Sequence, residues 1–226
     1  QAEDMRAANI MARVKSKETK EQLQVAADTA VQKAVEEVVK GLQVYIMVDI
    51  SSSMTGAIEK AKEYVVKFLP GFPLDKLHVS VFNTSGRELA IKQASAVGVE
   101  QAFRGITASG GTDIGSGVLA LRKYKPAADE DALFILVGDE DAGQNHEFSK
   151  AVRDSGLNPV AFGLIPVVSP QYGRGTAVRD TARKLGIPCF EIDEKTFNDT
   201  YAIPRTLRAL IAATPVGVTT QKAVPR

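Results

Sequence analysis

Groups that bind soft metals or close disulfides are nearly missing from this chain: 226 residues include one cysteine, Cys189, and two histidines, His78 and His146. A single thiol cannot form an internal bridge. Its setting in the apolar run Ile187 to Ile192 predicts a buried thiol in a reducing compartment, hence a cytoplasmic protein. The chain starts at Gln1 and not at Met, which leaves open an upstream signal that has been trimmed away. Neither histidine sits in a ligand motif, which excludes zinc-type sites. No apolar run of about 18 residues is present to cross a bilayer. An excess of one charge is lacking too, with 28 Lys and Arg against 27 Asp and Glu. No long-range field therefore recruits nucleic acid or an anionic membrane, although a local basic patch stays open. Enzyme signatures are equally scarce. No Gly-x-Ser-x-Gly elbow surrounds a candidate serine, the segment Gly110 to Gly117 lacks the P-loop lysine, and no Gly-x-Gly-x-x-Gly follows the first strand.

What remains is an ordinary globular composition, 44% hydrophobic and 24% charged. The length suits one large domain, alone or with an appendage. Residues 1 to 40 hold neither Gly nor Pro and favour helix. Thr19 with Gln22 can form a capping box. Leu23, Ala27, Ala30, Val31, Ala34, Val35 and Val38 then recur at helical spacing up to Gly41, predicting a helix from Lys20 to Lys40 that packs near the base of the domain. From Leu42 onward short β-rich runs alternate with helical periodicity, the pattern of βαβ units. The runs are Gln43 to Val48, Leu77 to Phe82, Leu133 to Val137, Val160 to Leu164 and Cys189 to Ile192, and the first and third read as central strands covered on both faces. Helices are expected at Ala57 to Leu69, Ile114 to Tyr124, Glu147 to Asp154, Thr176 to Leu185 and Ala202 to Ala213. After a turn at Ser85-Gly86, Glu88 to Lys92 would return as an antiparallel edge strand. The organisation is thus a helical extension over 1–41, an α/β domain over 42–214, and a coil tail over 215–226.

Open α/β sheets bind ligands beyond the carboxyl ends of their strands, so residues just after strands carry the chemistry. The first central strand runs into Asp49-Ile50-Ser51-Ser52-Ser53, with one carboxylate and two hydroxyls at alternate positions. A glycine-rich turn, Ser109-Gly110-Gly111-Thr112-Asp113, precedes a helix. The second central strand ends in Gly138-Asp139-Glu140-Asp141. Mg²⁺ takes about six oxygens, keeps several waters and needs only one or two carboxylates. Asp49, Ser51, Ser53, Thr112 and Asp139 are therefore the candidate metal ligands, with Asp113, Glu140 and Asp141 as candidate modulators.

The set Asp49-x-Ser51-x-Ser53, Thr112 behind Gly110-Gly111, and Asp139 after an apolar strand resembles the metal-ion-dependent adhesion site (MIDAS) of von Willebrand factor A (vWA) domains, across residues 42 to 213. The resemblance implies a doubly wound, Rossmann-like, mostly parallel six-stranded sheet with one short antiparallel edge strand and helices on both faces. It also implies Mg²⁺ at the top of the sheet, with Mn²⁺ or Ca²⁺ as substitutes. Ser51 and Ser53 would be direct ligands, Asp49 and Asp139 direct or water-mediated, and Thr112 would alternate between the two modes. An acidic group of a protein partner commonly completes the sphere. Within the family, 109–113 and 137–146 are similar to the carboxy-terminal vWA domain of Ro RNA-binding proteins, although this chain is too short for the helical ring by which those proteins hold RNA. Two departures concern the flanks of Asp139. Many A domains have Thr or Ser before it and Gly after it, where this chain has Gly138 and Glu140.

The reading is a metal-dependent protein-binding or scaffolding module without catalytic activity. Two alternatives stay open. A Ro-like ribonucleoprotein component would draw RNA to Arg174, Arg179, Arg183 and Lys184, and a hydrolase would combine Ser51 or Ser53 with His146 and Asp139.

Overall fold

Strand β1, Leu42–Asp49, is buried at every position but Gln43, as a strand covered on both faces must be. The computed structural model describes residues 29–30, 33–70, 72–198, 205–206 and 209. Strands β2 (Leu77–Phe82), β3 (Gly86–Glu88), β4 (Asp131–Gly138), β5 (Pro159–Pro166) and β6 (Cys189–Glu191) join β1 in one six-stranded sheet ordered β3-β2-β1-β4-β5-β6. All neighbours are parallel except β2 and β3. The helices are α1 (Ile58–Phe68), α2 (Ala96–Phe103), α3 (Ile114–Ala120), α4 (Phe148–Ser155) and α5 (Ala177–Leu185). This is the expected doubly wound sheet with helices on both faces.

Period-two alternation divides the strand side chains between two cores. Val44, Ile46 and Val48 of β1 with Leu133, Ile135 and Val137 of β4 meet α1 and α2 on one face. Tyr45 and Met47 with Phe134 and Leu136 meet α3, α4 and α5 on the other. The second face admits close helix approach because Gly115 of α3 lies against Ala151 of α4, where a Cβ would come within 2.6 Å of the alanine methyl. At its lower end His78 stacks on Tyr124 with ring centroids 4.3 Å apart and bonds to Gln43 through Nε2 at 2.8 Å, so it is a packing residue.

Three expectations need correction. The antiparallel edge strand is Gly86–Glu88, pairing with Ser80–Phe82, and not Glu88 to Lys92. The turn falls at 83–85, closed by Ser85 N donating to Asn83 Oδ1 at 3.2 Å, and Gly86 enters the sheet because it abuts the Ser116 carbonyl. Helix α2 has no counterpart in the sequence reading. It is short and carries Gly98 internally, yet Ser95 caps it and Val99 and Phe103 anchor it. Cys189 is half-buried rather than buried, though its surroundings still push the thiol pKa up to about 11.

Of the expected helix over 20–40, residues 29–30 and 33–38 are helical, 39–40 form a turn, and 20–28 and 31–32 lie outside the described residues. The expected helix at 202–213 and the tail lie almost wholly outside them. Val35 and Val39 are buried in the core beneath β1. They sit at its amino end, about 25 Å of strand from Asp49. Replacing both by Ala should cost about 1.5–3 kcal/mol each. Urea denaturation checks this, and a double variant as stable as the wild type would show that the segment is not part of the core.

Candidate metal centre

The chain leaves β1 toward β2 on one side and later returns to β4 on the other, so a crevice opens where the carboxyl ends of these two strands lie side by side. The final pair in their register is Val48 with Val137. Asp49 and Asp139 come just beyond it, 2% and 0% exposed. Their closeness depends on Gly138, since a Cβ there would sit 2.6 Å from the Asp49 Cβ. The Thr or Ser common at that position in the resembled family would collide with Asp49 here.

Beyond β1 the chain turns at once into a short 3-10 helix, Ser52–Met54, that folds the hydroxyls back over the strand end. Asp49 Oδ1 accepts from Ser51 N at 2.7 Å, and the Ser51 and Ser53 hydroxyl oxygens are 3.1 Å apart. Asp139 Oδ1 accepts from Asp141 N at 2.9 Å, while its buried Oδ2 has no hydrogen-bond partner. No cation pairs with either carboxylate among the described residues. Burial pushes the Asp49 pKa up to about 7, Ser51 opposes that rise through its hydroxyl and amide, and the charges of Asp139 and Asp141 add to it. Asp139 is likewise raised, chiefly by burial, against the Ser53 hydroxyl and the Asp141 amide. Ser51, Ser53 and both aspartates are thus one cluster.

The glycine-rich turn that carries Thr112 is fastened beside this crevice. Ser109 N donates to Ile50 O at 2.8 Å and Ser52 N donates to Gly110 O at 2.9 Å, fastening the glycine-rich turn to the segment after β1. The other side of the turn rests on residues that sequence reasoning missed. Asn83 Nδ2 donates to Ser109 O and Thr84 Oγ1 accepts from Gly111 N, both at 2.9 Å. Gly110 is required there, with φ +81° and those two side chains within about 3.2 Å of where a Cβ would stand. The only sequence signal for Asn83 and Thr84 was their place directly after an apolar strand. Asp113 is the N-cap of α3, accepting from Ser116 N at 3.2 Å.

The two acids after Asp139 part company. Glu140 is 3% exposed and its carboxylate accepts from Arg174 Nε and Arg179 Nε, each at 3.0 Å, and from Arg179 N at 3.1 Å. It also holds φ +59°, a left-handed conformation that costs a non-glycine residue about 1–3 kcal/mol. Asp141 remains exposed. Beside it a cleft of about 370 Å³ is lined by Gly143, Gln144, His146, Thr176 and Asp180. His146 Nδ1 accepts from Phe148 N at 3.4 Å, and no hydrogen bond joins it to Asp139 or to either serine. The hydrolase triad is therefore not assembled. Arg174 also pairs with Glu191, and Arg183 with Asp180, so three of the four basic residues of the RNA reading are engaged with acids of the chain itself.

Among the described residues no group of three or more His, Cys, Asp or Glu side chains converges as a metal site. A centre of two carboxylates and three hydroxyls is a different donor set, hard in character and suited to Mg²⁺. Among the described residues no helix is long and apolar enough to cross a membrane.

No protein-family model and no curated protein matches the chain. Solved structures do. The chain is similar to an aerotolerance-related membrane protein of Bacteroides fragilis, 16% identical at a TM-score of 0.55, over 76% of this chain and 98% of that one. It is similar to a manganese-loaded TRAP protein of Plasmodium vivax, 15% identical at 0.54, over 74% and 73% of the two chains. It also matches a von Willebrand factor type A protein of Catenulispora acidiphila, 18% identical at 0.50, over 74% and 42%. At these identities the likeness concerns the fold, and the chain has the Rossmann-like vWA fold.

The raised Asp49 pKa has a consequence for stability. Between the unfolded value of 3.8 and the folded value of about 7, the metal-free native state holds more protons than the unfolded chain. Stability from this group therefore falls as pH rises through that window, by at most about 1.4 kcal/mol per pH unit. Urea unfolding in EDTA at pH 5 and pH 8 should show Asp49→Asn losing less stability than the wild type over that interval. Equal losses would mean that Asp49 does not titrate in the window.

Proposed function

We propose that Asp49, Ser51, Ser53, Thr112 and Asp139 hold one divalent cation, Mg²⁺ first and Mn²⁺ or Ca²⁺ as substitutes, and that the protein uses it to grip a protein partner. The observation that carries this reading is the buried Asp139 Oδ2, without a partner, beside a second buried carboxylate that has no cation. Buried carboxylates are ordinarily paired or bound to metals, and leaving them bare costs several kcal/mol. The donor set fits a hard cation, whose role would be to attract an oxygen ligand from the partner and to tie the three loops together. A manganese-loaded protein of the same fold is in keeping with a divalent ion here.

The reading is of a binding module and not an enzyme. Ser51 and Ser53 bond to each other, and the hydrogen bond of the His146 ring is accepted from Phe148 N. It includes a reducing, cytoplasmic setting, on the ground of the unpaired Cys189. An RNA-binding role has little to work with, because Arg174, Arg179 and Arg183 already face Glu140, Glu191 and Asp180.

Titration calorimetry with Mg²⁺ tests the centre. The wild type should bind one ion, and Asp49→Ala should abolish binding while the fold survives, since the residue is the last of β1 and its side chain belongs to neither apolar core. At Mg²⁺ a hundredfold above Kd the wild type gains about 2.7 kcal/mol of stability, and the variant gains none. Unchanged affinity in Asp49→Ala would sink the assignment. For the partner, recovery from cell extract in Mg²⁺ but not in EDTA is expected, and identical recovery in both would show that the grip does not run through the ion.

A further inference from the structure

We infer that Glu140 is a positioning residue for this centre: held by Arg174 and Arg179, it fixes the Asp139 peptide against α5 and so presents the Asp139 carboxylate opposite Asp49. The inference rests on the reading of the centre as a cation site.

Three observations carry it. The first is the chain of bonds. Asp139 O accepts from Gly175 N at 2.8 Å, Glu140 O accepts from Ala177 N at 3.3 Å, and the Glu140 carboxylate accepts from Arg179 N and from the Nε atoms of both arginines. Arg179 Nη2 closes the loop on Gly175 O at 2.7 Å, and Arg174 Nη2 ties it to Glu191, the last residue of β6, at 2.8 Å. The segment 174–175 thus lies directly on the Asp139–Glu140 backbone, so closely that a Cβ on Gly175 would stand 2.1 Å from Glu140 O.

The second observation is the backbone at Glu140. At φ +59° a glycine would sit without strain. A glutamate there is opposed by its own backbone, so its carboxylate must supply what glycine cannot. The third is charge. Buried ion pairs are weak devices for stability, and their best-attested use is to fix register. Two guanidinium groups, one of them shared with Glu191, face this carboxylate, so the cluster is close to neutral and Glu140 orders the loop without adding a net charge of its own to the centre. Bonds that orient a metal ligand from behind act in this way.

The test compares the full chain as wild type, Glu140→Gln, Glu140→Gly and Arg174→Gln, with Phe72→Leu as a control. Phe72 is fully buried in the core on the α1 side and has no part in the centre. Mg²⁺ affinity by calorimetry, well below each melting temperature, should fall about 10- to 100-fold in both Glu140 variants. It should fall less in Arg174→Gln, which leaves Arg179 in place, and stay at the wild-type value in Phe72→Leu even at an equal loss in Tm. Hydrogen exchange in EDTA gives a second, metal-free reading. The Asp141 and Gly175 amides should exchange faster in Glu140→Gln while β4 amides keep their protection.

Wild-type affinity in Glu140→Gly would overturn the inference and leave the cation reading intact. So would a loss of protection spread evenly over β4, which a purely structural role predicts. A wild type that binds no Mg²⁺ would overturn the cation reading itself, a result that the variants cannot mimic.

Discussion

Two carboxylates, Asp49 and Asp139, are buried side by side at the ends of the two central strands, and among the described residues no cation pairs with them. Moving charges from water into a protein interior is among the costliest things a fold can do. In the metal-free protein the cost appears as an Asp49 carboxyl pushed up to about 7. The surrounding loops are arranged to tolerate this without removing it. Ser51 N and Asp141 N each give one hydrogen bond to the nearer aspartate, and nothing reaches Asp139 Oδ2. The Arg174 guanidinium is turned to Glu140 and Glu191 instead.

The sheet explains why the carboxylates can meet at all. β1 and β4 are sequence-distant neighbours in register from Leu42 with Asp131 to Val48 with Val137, so their ends come level. Gly138 then removes the one Cβ that would separate them. The apolar interior of both strands makes this register rigid, because a slip by one residue would exchange Tyr45 and Met47 with Ile46 and Val48 between two differently shaped cores.

Those features explain what was legible in the sequence. Continuous apolar runs ending in Asp49 and Gly138-Asp139 state both the central strands and the place of the two buried carboxylates, since strand ends at a switch point are set by topology. Gly110 was legible because a positive φ narrows the choice of residue. Residues whose role depends on distant partners were not. Asn83 and Thr84 support the glycine-rich turn from about 25 positions upstream, and Arg174 and Arg179 reach Glu140 across 34 and 39 positions. Their identity alone suggests solvated polar residues. Helix α2 stayed hidden for a local reason, since Gly98 weakens the helical pattern while the side chains that hold it, Val99 and Phe103, act through the core.

The run Asp139-Glu140-Asp141 shows how such long-range partners change a functional argument. Counted from sequence, two extra acids beside a cation oppose an acidic partner, because each lowers the net positive charge that attracts it. In the fold Glu140 faces two arginines, one of them shared with Glu191, so its charge is balanced locally. Only Asp141 is left facing the open side, exposed to water. Two carboxylates about 7 Å apart in a medium close to water repel each other by only about 0.6 kcal/mol before salt screening. A carboxylate that enters the coordination sphere of a divalent ion gains far more than that. On the proposed reading, then, the acidic run does not set the partner's charge. The remaining positions around the ion and the shape of the face beside it do, and that face includes the exposed side chains of Val168 and Tyr172 on the loop after β5. Ser169 Oγ fixes this loop by donating to Thr55 O at 2.6 Å, just past the 3-10 turn that carries Ser53. On the proposed reading, the loop with this apolar surface is tied to the segment that carries Ser53, which favours a partner that meets the surface and the cation site at once.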